Sequence, residues 1–304
     1  MDKSLILLSI VLIFISNIES QETIRPTVLW HGIGDTCCYP FSMGRMKKLI
    51  EANLEGIYVY SVEVGDSIAA DEFNSYFMNV NDQIDQMCAK FKANGNLTNG
   101  FNAVGFSQGS QFLRAYNERC NDPPIYNLIT LGGQHQGVYG LPDTCLSMNG
   151  TICQMVRDLL DLGVYESFVQ DHLVPAEYWQ DSLNYDEYLE KSVFIADINN
   201  ARSQKNSTYY KNFISLNKLV LVKFNNDTIV IPRESEWFGF YTPGSDKDIQ
   251  TMEETDLYIE DWIGLRYLDE NGQVIKLSTD GNHLQFTDDW FVQNILTPYL
   301  NNTI

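Results

Sequence analysis

Gly105 to Gly109 form a Gly-x-Ser-x-Gly pattern, which is able to present a serine as a nucleophile. An apolar run from Phe101 to Val104 precedes the pattern and predicts a strand, and Gln108 to Cys120 predicts a helix. Ser107 would then lie on a sharp strand-to-helix turn, with the first N–H groups of the helix beneath its hydroxyl. The same pattern occurs by chance in many proteins, so the pattern alone is weak evidence. Its position between a predicted strand and a predicted helix is what supports the catalytic interpretation.

A serine nucleophile needs a base, and the chain has four histidines: His31, His135, His172 and His283. In an α/β-hydrolase the order along the chain is serine, acid, histidine, and the histidine follows the last strand. Only His283 meets this rule, because it follows the last predicted strand and precedes the last predicted helix. His283 is therefore the predicted general base.

The acid of such a site lies on a loop after a late strand, and Asp227 directly follows the predicted strand Lys218 to Phe224. Its carboxylate would accept the Nδ1 proton of the histidine and hold the reactive tautomer. Asp246, Asp261 and Asp280 are competing candidates, with Asp246 the foremost of them. The backbone N–H groups of Gln108 and Ile33 are the predicted oxyanion-hole donors.

The rest of the chain alternates between predicted strands and helices, as in an α/β fold with a mostly parallel sheet. A turn at Asn271-Gly272 between two apolar runs predicts a β-hairpin, and Thr287 predicts the N-cap of a last helix that ends before Pro298. The predicted elements are strands at Thr27 to Trp30, Ile57 to Val64, Phe101 to Val104, Tyr126 to Leu131 and Lys218 to Phe224, and helices at Met43 to Asn53 and around Phe77 to Phe91.

About 85 residues between Leu131 and Lys218 depart from this alternation, and a plain loop is rarely so long. We expect a largely helical cap inserted at about residues 140–215. Its apolar positions either cover the sheet or line a substrate groove, and the same residues would serve both roles. They are Val156, Leu159, Leu160, Val164, Phe168, Val169 and Leu173.

The start of the chain predicts export. Lys3 is followed by an apolar run from Leu5 to Ile15, which suits the core of a signal peptide at residues 1–20 with cleavage near Ser20. No later stretch is long and apolar enough to cross a membrane. Residues 21–304 suffice for one α/β-hydrolase domain that carries the cap insertion.

Cysteines and sequons agree with export. Six cysteines suggest three disulfides, for which spacing alone leaves fifteen pairings. Glycosylation sequons stand at Asn96, Asn149, Asn206, Asn226 and Asn301. The net charge of -20 argues against nucleic acid or an anionic membrane as the main partner, and it suggests an acidic compartment.

Longer stretches resemble one family, the palmitoyl-protein thioesterases of the lysosomal type. The similarity runs from about Pro26 to Tyr299 and is strongest in six segments: Leu29 to Cys38, Gly105 to Arg114, Gly132 to Pro142, Ala176 to Trp179, Ala196 to Asn199 and Glu234 to Tyr241.

This resemblance implies an α/β-hydrolase that removes long-chain fatty acyl groups from the cysteines of S-acylated proteins and peptides in the lysosome, or after secretion. It places the catalytic residues on Ser107, Asp227 and His283. The reaction that the resemblance implies needs no metal or organic cofactor. The resemblance also implies the pairs Cys37–Cys38, Cys88–Cys120 and Cys145–Cys153. The first is unusual, since adjacent Cα atoms lie about 3.8 Å apart, below the usual span of a disulfide.

Two other classes of function fit the same residues. A lipase or carboxylesterase would use the same three side chains with a different groove. A non-catalytic binding module with a hydrolase fold is disfavoured, because both the serine and the histidine are present.

Overall fold

A central sheet of six strands organises the computed structural model, which describes residues 23–140, 154, 157–158 and 161–304. The strands lie in the order β2-β1-β3-β4-β5-β8, and every neighbouring pair is parallel. Their carboxyl ends therefore meet at one edge, where α/β folds place their functional groups. The strands are β1 Thr27–Trp30, β2 Val59–Ser61, β3 Phe101–Phe106, β4 Ile125–Leu131, β5 Lys218–Phe224 and β8 Val274–Thr279. A small antiparallel pair, β6 Phe240–Tyr241 and β7 Ile249–Gln250, lies outside this sheet.

Helices cover both faces of the sheet, so each strand is buried on both sides. Alternate residues of β3 belong to different core clusters: Phe101 and Ala103 to one, Val104 and Phe106 to the other. The first cluster includes apolar residues of α3 Val80–Ala93 and α4 Gln108–Arg119, and the second includes those of α1 Met43–Asn53. The fold is the predicted α/β architecture with a mostly parallel sheet.

The segment between β4 and β5 contains short helices that pack over the sheet. Arg114 of α4 is fully buried and donates hydrogen bonds to His135 O (2.9 Å) and to Asn199 Oδ1 (2.8 Å), which ties the inserted segment to α4. Its helices are Ser167–His172, Val174–Glu177, Tyr185–Lys191, Ile195–Ile198 and Ser207–Phe213. The predicted signal peptide, Cys145, Asn149, Cys153, Val156, Leu159 and Leu160 lie outside the described residues.

The predicted hairpin at Asn271-Gly272 is wrong. Leu265–Glu270 is a helix, and β8 pairs in parallel with β5 instead of folding back on its predecessor. Gly272 has a φ of 66°, and its N–H donates to Asp269 O, so the Asn-Gly pair ends a helix. An Asn-Gly pair suits left-handed backbone in either setting, and the sequence pattern did not separate them.

Two helix predictions need a further correction. The predicted long helix is broken, because α2 Ile68–Phe77 ends at Phe77 and α3 begins at Val80 with Asn79 as its N-cap. The last helix does begin after the Thr287 N-cap, as Asp288–Phe291, but it continues as a wider π-helical segment, Val292–Leu300, that includes Pro298. The wider turn bonds to the fifth preceding residue, which avoids the carbonyl that a proline meets in an α-helix.

Shorter elements complete the described chain: Gly95–Leu97, Arg233–Trp237 and Met252–Glu254 are 3₁₀ turns, and Asp256–Ile259 is a helix. None of the helices within the described ranges is long and apolar enough to cross a membrane.

Candidate active site

Ser107 occupies a strained turn between β3 and α4. Its φ of 53° and ψ of -124° lie outside the regions that non-glycine residues ordinarily adopt. The flanking glycines make this turn possible, because a Cβ at Gly105 would lie 2.3 Å from Ser110 Cα and one at Gly109 would lie 2.3 Å from Trp30 O. This is the backbone geometry of a nucleophile elbow, and it holds the hydroxyl at the carboxyl edge of the sheet.

His283 contacts both Ser107 and Asp227. His283 Nε2 is 2.9 Å from Ser107 Oγ, and His283 Nδ1 is 2.5 Å from Asp227 Oδ2. The Asp227 loop follows β5 and the His283 loop follows β8, and these strands are neighbours. Asn282 joins the loops, since its Oδ1 accepts the N–H of Thr228 (3.0 Å) and that of His283 (2.7 Å). The three side chains therefore form one chain of hydrogen bonds in the order serine, histidine, aspartate.

The electrostatics keep the Asp227 carboxylate ionised. Burial would raise the pKa of Asp227, but the hydrogen bond and charge of His283, with further hydrogen bonds to the carboxylate, lower the pKa overall. Its Oδ1 accepts the N–H groups of Ile229 (2.7 Å) and Val230 (2.9 Å). An ionised Asp227 is the form that can hold a proton on His283 Nδ1 and stabilise an imidazolium.

The structure separates the competing candidates from this group. Asp246 is exposed and Asp261 accepts the N–H of Arg266, while Asp280 binds Asn225.

His135 is fully buried against Thr130 Oγ1 at 3.0 Å. Burial, and then the charge of Arg114, lower its pKa well below the usual value. His172 Nδ1 donates to Phe168 O at 2.9 Å in the inserted segment.

The loop after β1 lies directly against Ser107. A Cβ at Gly32 would be 3.0 Å from Ser107 Cβ. In the part of the chain that the structure describes, no hydrogen bond from the Ile33 or Gln108 backbone N–H is present. Within the described residues, neither N–H group is therefore bound to a protein acceptor.

His31 fixes the orientation of this loop. Its Nδ1 is 2.8 Å from Gly32 O, and its Nε2 is 3.0 Å from Asp71 Oδ1. Both partners are acceptors, so both ring nitrogens must donate and the ring is an imidazolium. In a trans peptide the C=O and N–H point in opposite directions. The bond to Gly32 O therefore turns the Ile33 N–H away from His31.

Gln134 contacts Ser107, and sequence reasoning missed this contact. Its Nε2 donates to Ser107 Oγ at 3.0 Å, beside the bond between Ser107 and His283. Gln134 belongs to a Gly-Gly-Gln-His-Gln-Gly segment that the sequence singled out, but no feature of the pattern indicated its partner. Asp71 likewise lies 40 residues from His31, with no local signal of the pair.

The structure forms two disulfides among the described cysteines. Cys37 is bonded to Cys38, with Cα atoms 3.7 Å apart, and Cys88 to Cys120, with Cα atoms 6.0 Å apart. The Cys37 N–H donates to Asp71 Oδ2 at 2.8 Å, so the adjacent pair is anchored to the same carboxylate as His31. The sequon residues Asn96, Asn206, Asn226 and Asn301 are all exposed.

A cavity of about 460 Å³ opens between the loop that follows β4, at Tyr139 and Gly140, and the inserted segment. Val164 and Trp179 line it, with Tyr139 and Tyr165. Val164 also packs with Ile33 and Tyr76 around the buried pair Val169 and Ala176, so apolar side chains link the loop after β1 to the cavity. Phe168, a predicted cover residue, is instead 70% exposed.

Together, the parallel sheet, the strained serine turn and the loops after β5 and β8 define an α/β-hydrolase. The model of the family described as palmitoyl protein thioesterase matches residues 26–283. The chain belongs to this family, and it is accordingly an enzyme that hydrolyses thioesters.

Individual relatives span nearly the whole chain. Palmitoyl-protein thioesterase 1 of Caenorhabditis elegans is 48% identical over 90% of this chain and 91% of its own length. Palmitoyl-protein thioesterase 3 of Dictyostelium discoideum is 37% identical over 98% of this chain and 99% of its own. The lysosomal thioesterase PPT2 homolog of Drosophila melanogaster is 28% identical over 96% of this chain and 97% of its own.

Proposed function

We propose that the protein removes long-chain fatty acyl groups from cysteine thioesters of S-acylated proteins and peptides by a Ser-His-Asp acyl-enzyme mechanism. The observation that supports it most is the continuous line of contacts from Ser107 Oγ through His283 to Asp227, at 2.9 Å and 2.5 Å. The substrate class agrees with the family and with the names of its relatives.

In the first half-reaction, His283 takes the Ser107 proton as the hydroxyl oxygen attacks the thioester carbonyl. The backbone N–H groups of Ile33 and Gln108 stabilise the tetrahedral oxyanion. When the carbon–sulfur bond breaks, the substrate cysteine takes the proton from His283 and leaves as a thiol. An acyl ester of Ser107 remains.

Water completes the cycle. His283 removes a proton from a water molecule as it attacks the acyl ester, and returns the proton to Ser107 as the fatty acid departs. Gln134 is placed to steady Ser107 Oγ between these steps, because its amide already donates to that oxygen at 3.0 Å.

The cavity beside the inserted segment is the proposed acyl groove. Its volume of about 460 Å³ lies in the usual range for ligand sites, and apolar and aromatic side chains form much of its wall. The region near residues 140–215 would thus act as a cap over the acyl chain as well as a cover for the sheet.

The lysosome is the proposed compartment. Several relatives, among them that of Drosophila melanogaster, are named as lysosomal thioesterases, and the net charge of -20 suits an acidic medium in which carboxylates take up protons. The exposed sequon at Asn96 and the disulfide Cys88–Cys120 agree with passage through the secretory pathway.

A trapping experiment tests the proposal. The enzyme is treated with a long-chain acyl fluorophosphonate and the adduct is located by mass spectrometry, with Ser107→Ala as the matched control. We expect one adduct, on Ser107. Turnover of a palmitoyl-cysteine thioester is then compared with that of the matched oxygen ester. An adduct elsewhere would contradict the assigned nucleophile, and a clear preference for the oxygen ester would indicate a lipase or carboxylesterase instead.

A further inference from the structure

Glu236 is a buried carboxyl group directly behind the acid of the site. It lies in the 3₁₀ turn Arg233–Trp237 and has no solvent exposure. Its Oε2 accepts the N–H of Phe224, the last residue of β5, at 2.9 Å. Asp227 follows that strand end by three residues, so the backbone that presents Asp227 is bonded to Glu236.

The carboxyl groups of Glu236 and Asp227 are close neighbours. Asp227, Glu236 and His283 each offer one polar atom within 4.8 Å of those of the other two. Glu236 Oε1 accepts no hydrogen bond from any donor in the described chain, although it is buried. Two buried carboxylates at this distance repel each other strongly, so one of them holds a proton.

The hydrogen bonds decide which carboxyl group is protonated. Asp227 accepts from Ile229, Val230 and His283, all of which favour its charged form. Glu236 accepts from Phe224 alone. Burial, followed by the negative charge of Asp227, raises the pKa of Glu236 to about 10, against the opposing charge of Lys223. Glu236 is therefore the neutral partner, and as a carboxylic acid it has a proton that it can donate to the Asp227 carboxylate.

The same three side chains also have the composition of a metal site. The donor atoms, however, are already in use: His283 Nδ1 faces Asp227 and its Nε2 faces Ser107. A metal ion bound there would displace one of these bonds, and so the residues fit a hydrogen-bonded chain better than a metal centre.

We propose that Glu236 is a positioning residue, a neutral carboxylic acid that donates a hydrogen bond to the Asp227 carboxylate and fixes the orientation in which Asp227 accepts the hydrogen bond from His283 Nδ1–H. This inference rests on the proposed catalytic role of Asp227. It extends the line of contacts to four side chains: Ser107, His283, Asp227 and Glu236.

Two substitutions test it. Glu236→Gln keeps an oxygen for the Phe224 N–H and an N–H for Asp227, whereas Glu236→Leu removes both. We expect Glu236→Gln to keep kcat within about threefold of the wild type, while Glu236→Leu lowers kcat roughly 10- to 100-fold with little change in KM, as for the loss of other outer partners that orient functional groups. Glu234→Gln is the matched control, since Glu234 is a neighbour on the partly exposed side of the same turn.

Two further readouts separate positioning from folding. The downfield proton resonance of His283 Nδ1–H should persist in Glu236→Gln and shift or broaden in Glu236→Leu. The wild type should also lose activity on an alkaline limb that Glu236→Gln lacks, because only a glutamic acid can ionise there. These two readouts and the Gln variant remain informative if Glu236→Leu does not fold.

The outcomes are distinct from those of the proposed function. A large loss of kcat in Glu236→Gln would overturn the inference, because it would show that a negative charge is required at this position. A fully active Glu236→Leu with an unchanged resonance would also overturn it. If Ser107→Ala and Asp227→Asn were active as well, the proposed mechanism itself would fail.

Discussion

His31 Nε2 lies 3.0 Å from Asp71 Oδ1, and both side chains are almost completely buried. Burial alone would lower the pKa of His31, but the hydrogen bond and charge of Asp71, with the Gly32 carbonyl, raise it overall. The pKa of a histidine in the unfolded chain is about 6.5. Because the folded-state pKa of His31 is higher, the pair contributes its full stabilisation of the folded chain below about pH 6.5. That contribution is lost as pH rises through the higher folded-state pKa.

We therefore expect His31→Gln to be most destabilising, relative to the wild type, at about pH 5, with a gap that narrows as the medium becomes alkaline. Urea unfolding at several pH values measures it. A gap that widens with rising pH would show that His31 is neutral in the folded protein. The exposed His172 provides a control, and His172→Gln should leave the free energy of unfolding nearly unchanged.

Glu177 gives a second reason to expect the stability of the folded chain to fall as pH rises. It has no solvent exposure, both carboxyl oxygens lie 3.0 Å from the Val80 N–H, and burial raises its pKa well above the usual value. The unfolded chain therefore releases this proton first, and stability falls as pH rises above about 4.5. Glu177→Gln should become progressively more stable than the wild type from pH 5 to pH 8. The exposed Glu190→Gln should show no such trend, and a constant difference for Glu177→Gln would contradict the prediction.

Ser107→Ala should abolish deacylation and leave the fold intact, because the glycines at 105 and 109, which accommodate the close contacts of the turn, are unchanged. Removing the serine also relieves no buried charge, so thermal unfolding should differ little from that of the wild type. The rate of deacylation and the temperature of thermal unfolding are measured on the same preparation. Hydrolysis of a palmitoyl thioester near the wild-type rate would exclude Ser107 as the nucleophile.

Asp227→Asn should lower kcat roughly ten-thousandfold, as in the Ser-His-Asp template, because an amide favours the wrong tautomer of His283. Asp246→Asn is the control, since Asp246 is exposed and outside the contacts of His283. A larger effect at Asp246 would reverse the assignment. Asn226 is a sequon residue that the Asp227 substitution leaves formally intact, so mass spectrometry should establish equal glycan occupancy.

Much of the fold could be predicted from sequence because the strands are buried on both faces. The runs at Thr27–Trp30 and Lys218–Phe224 are continuous and apolar, and the structure has them with the predicted bounds. Asn271-Gly272 was misjudged because left-handed backbone serves a hairpin and a helix end equally well.

The candidate site shows a similar division. Ser107, Asp227 and His283 could be located by their order and by the strand ends that precede them. Gln134 and Asp71 could not, because their contacts join segments that are separate in sequence. Glu236 is close to Asp227 in sequence, but no local pattern shows that its side chain is buried. A buried carboxyl such as that of Glu236 looks in sequence like any surface glutamate.

Acyl-chain length gives the test of the cap. Each methylene buried in an apolar groove contributes about 0.8 kcal/mol, so kcat/KM should rise up to about fourfold per carbon until the cavity beside Val164 and Trp179 is full. Acetyl and butyryl thioesters should be poor substrates even though the nucleophile can attack them. Val164→Asn should weaken the preference for long chains and spare short ones, because Val164 lines the cavity and joins the apolar cluster near Ile33.

Phe168→Asn is the matched control for this prediction, since Phe168 lies in the same inserted segment but is 70% exposed and stacks on His172. It should leave the dependence on chain length unchanged. The measurement is kcat/KM for a series of acyl-cysteine thioesters from two to sixteen carbons. A flat series in the wild type would show that the inserted helices only cover the sheet, and an equal effect of both substitutions would place the acyl chain outside this cavity.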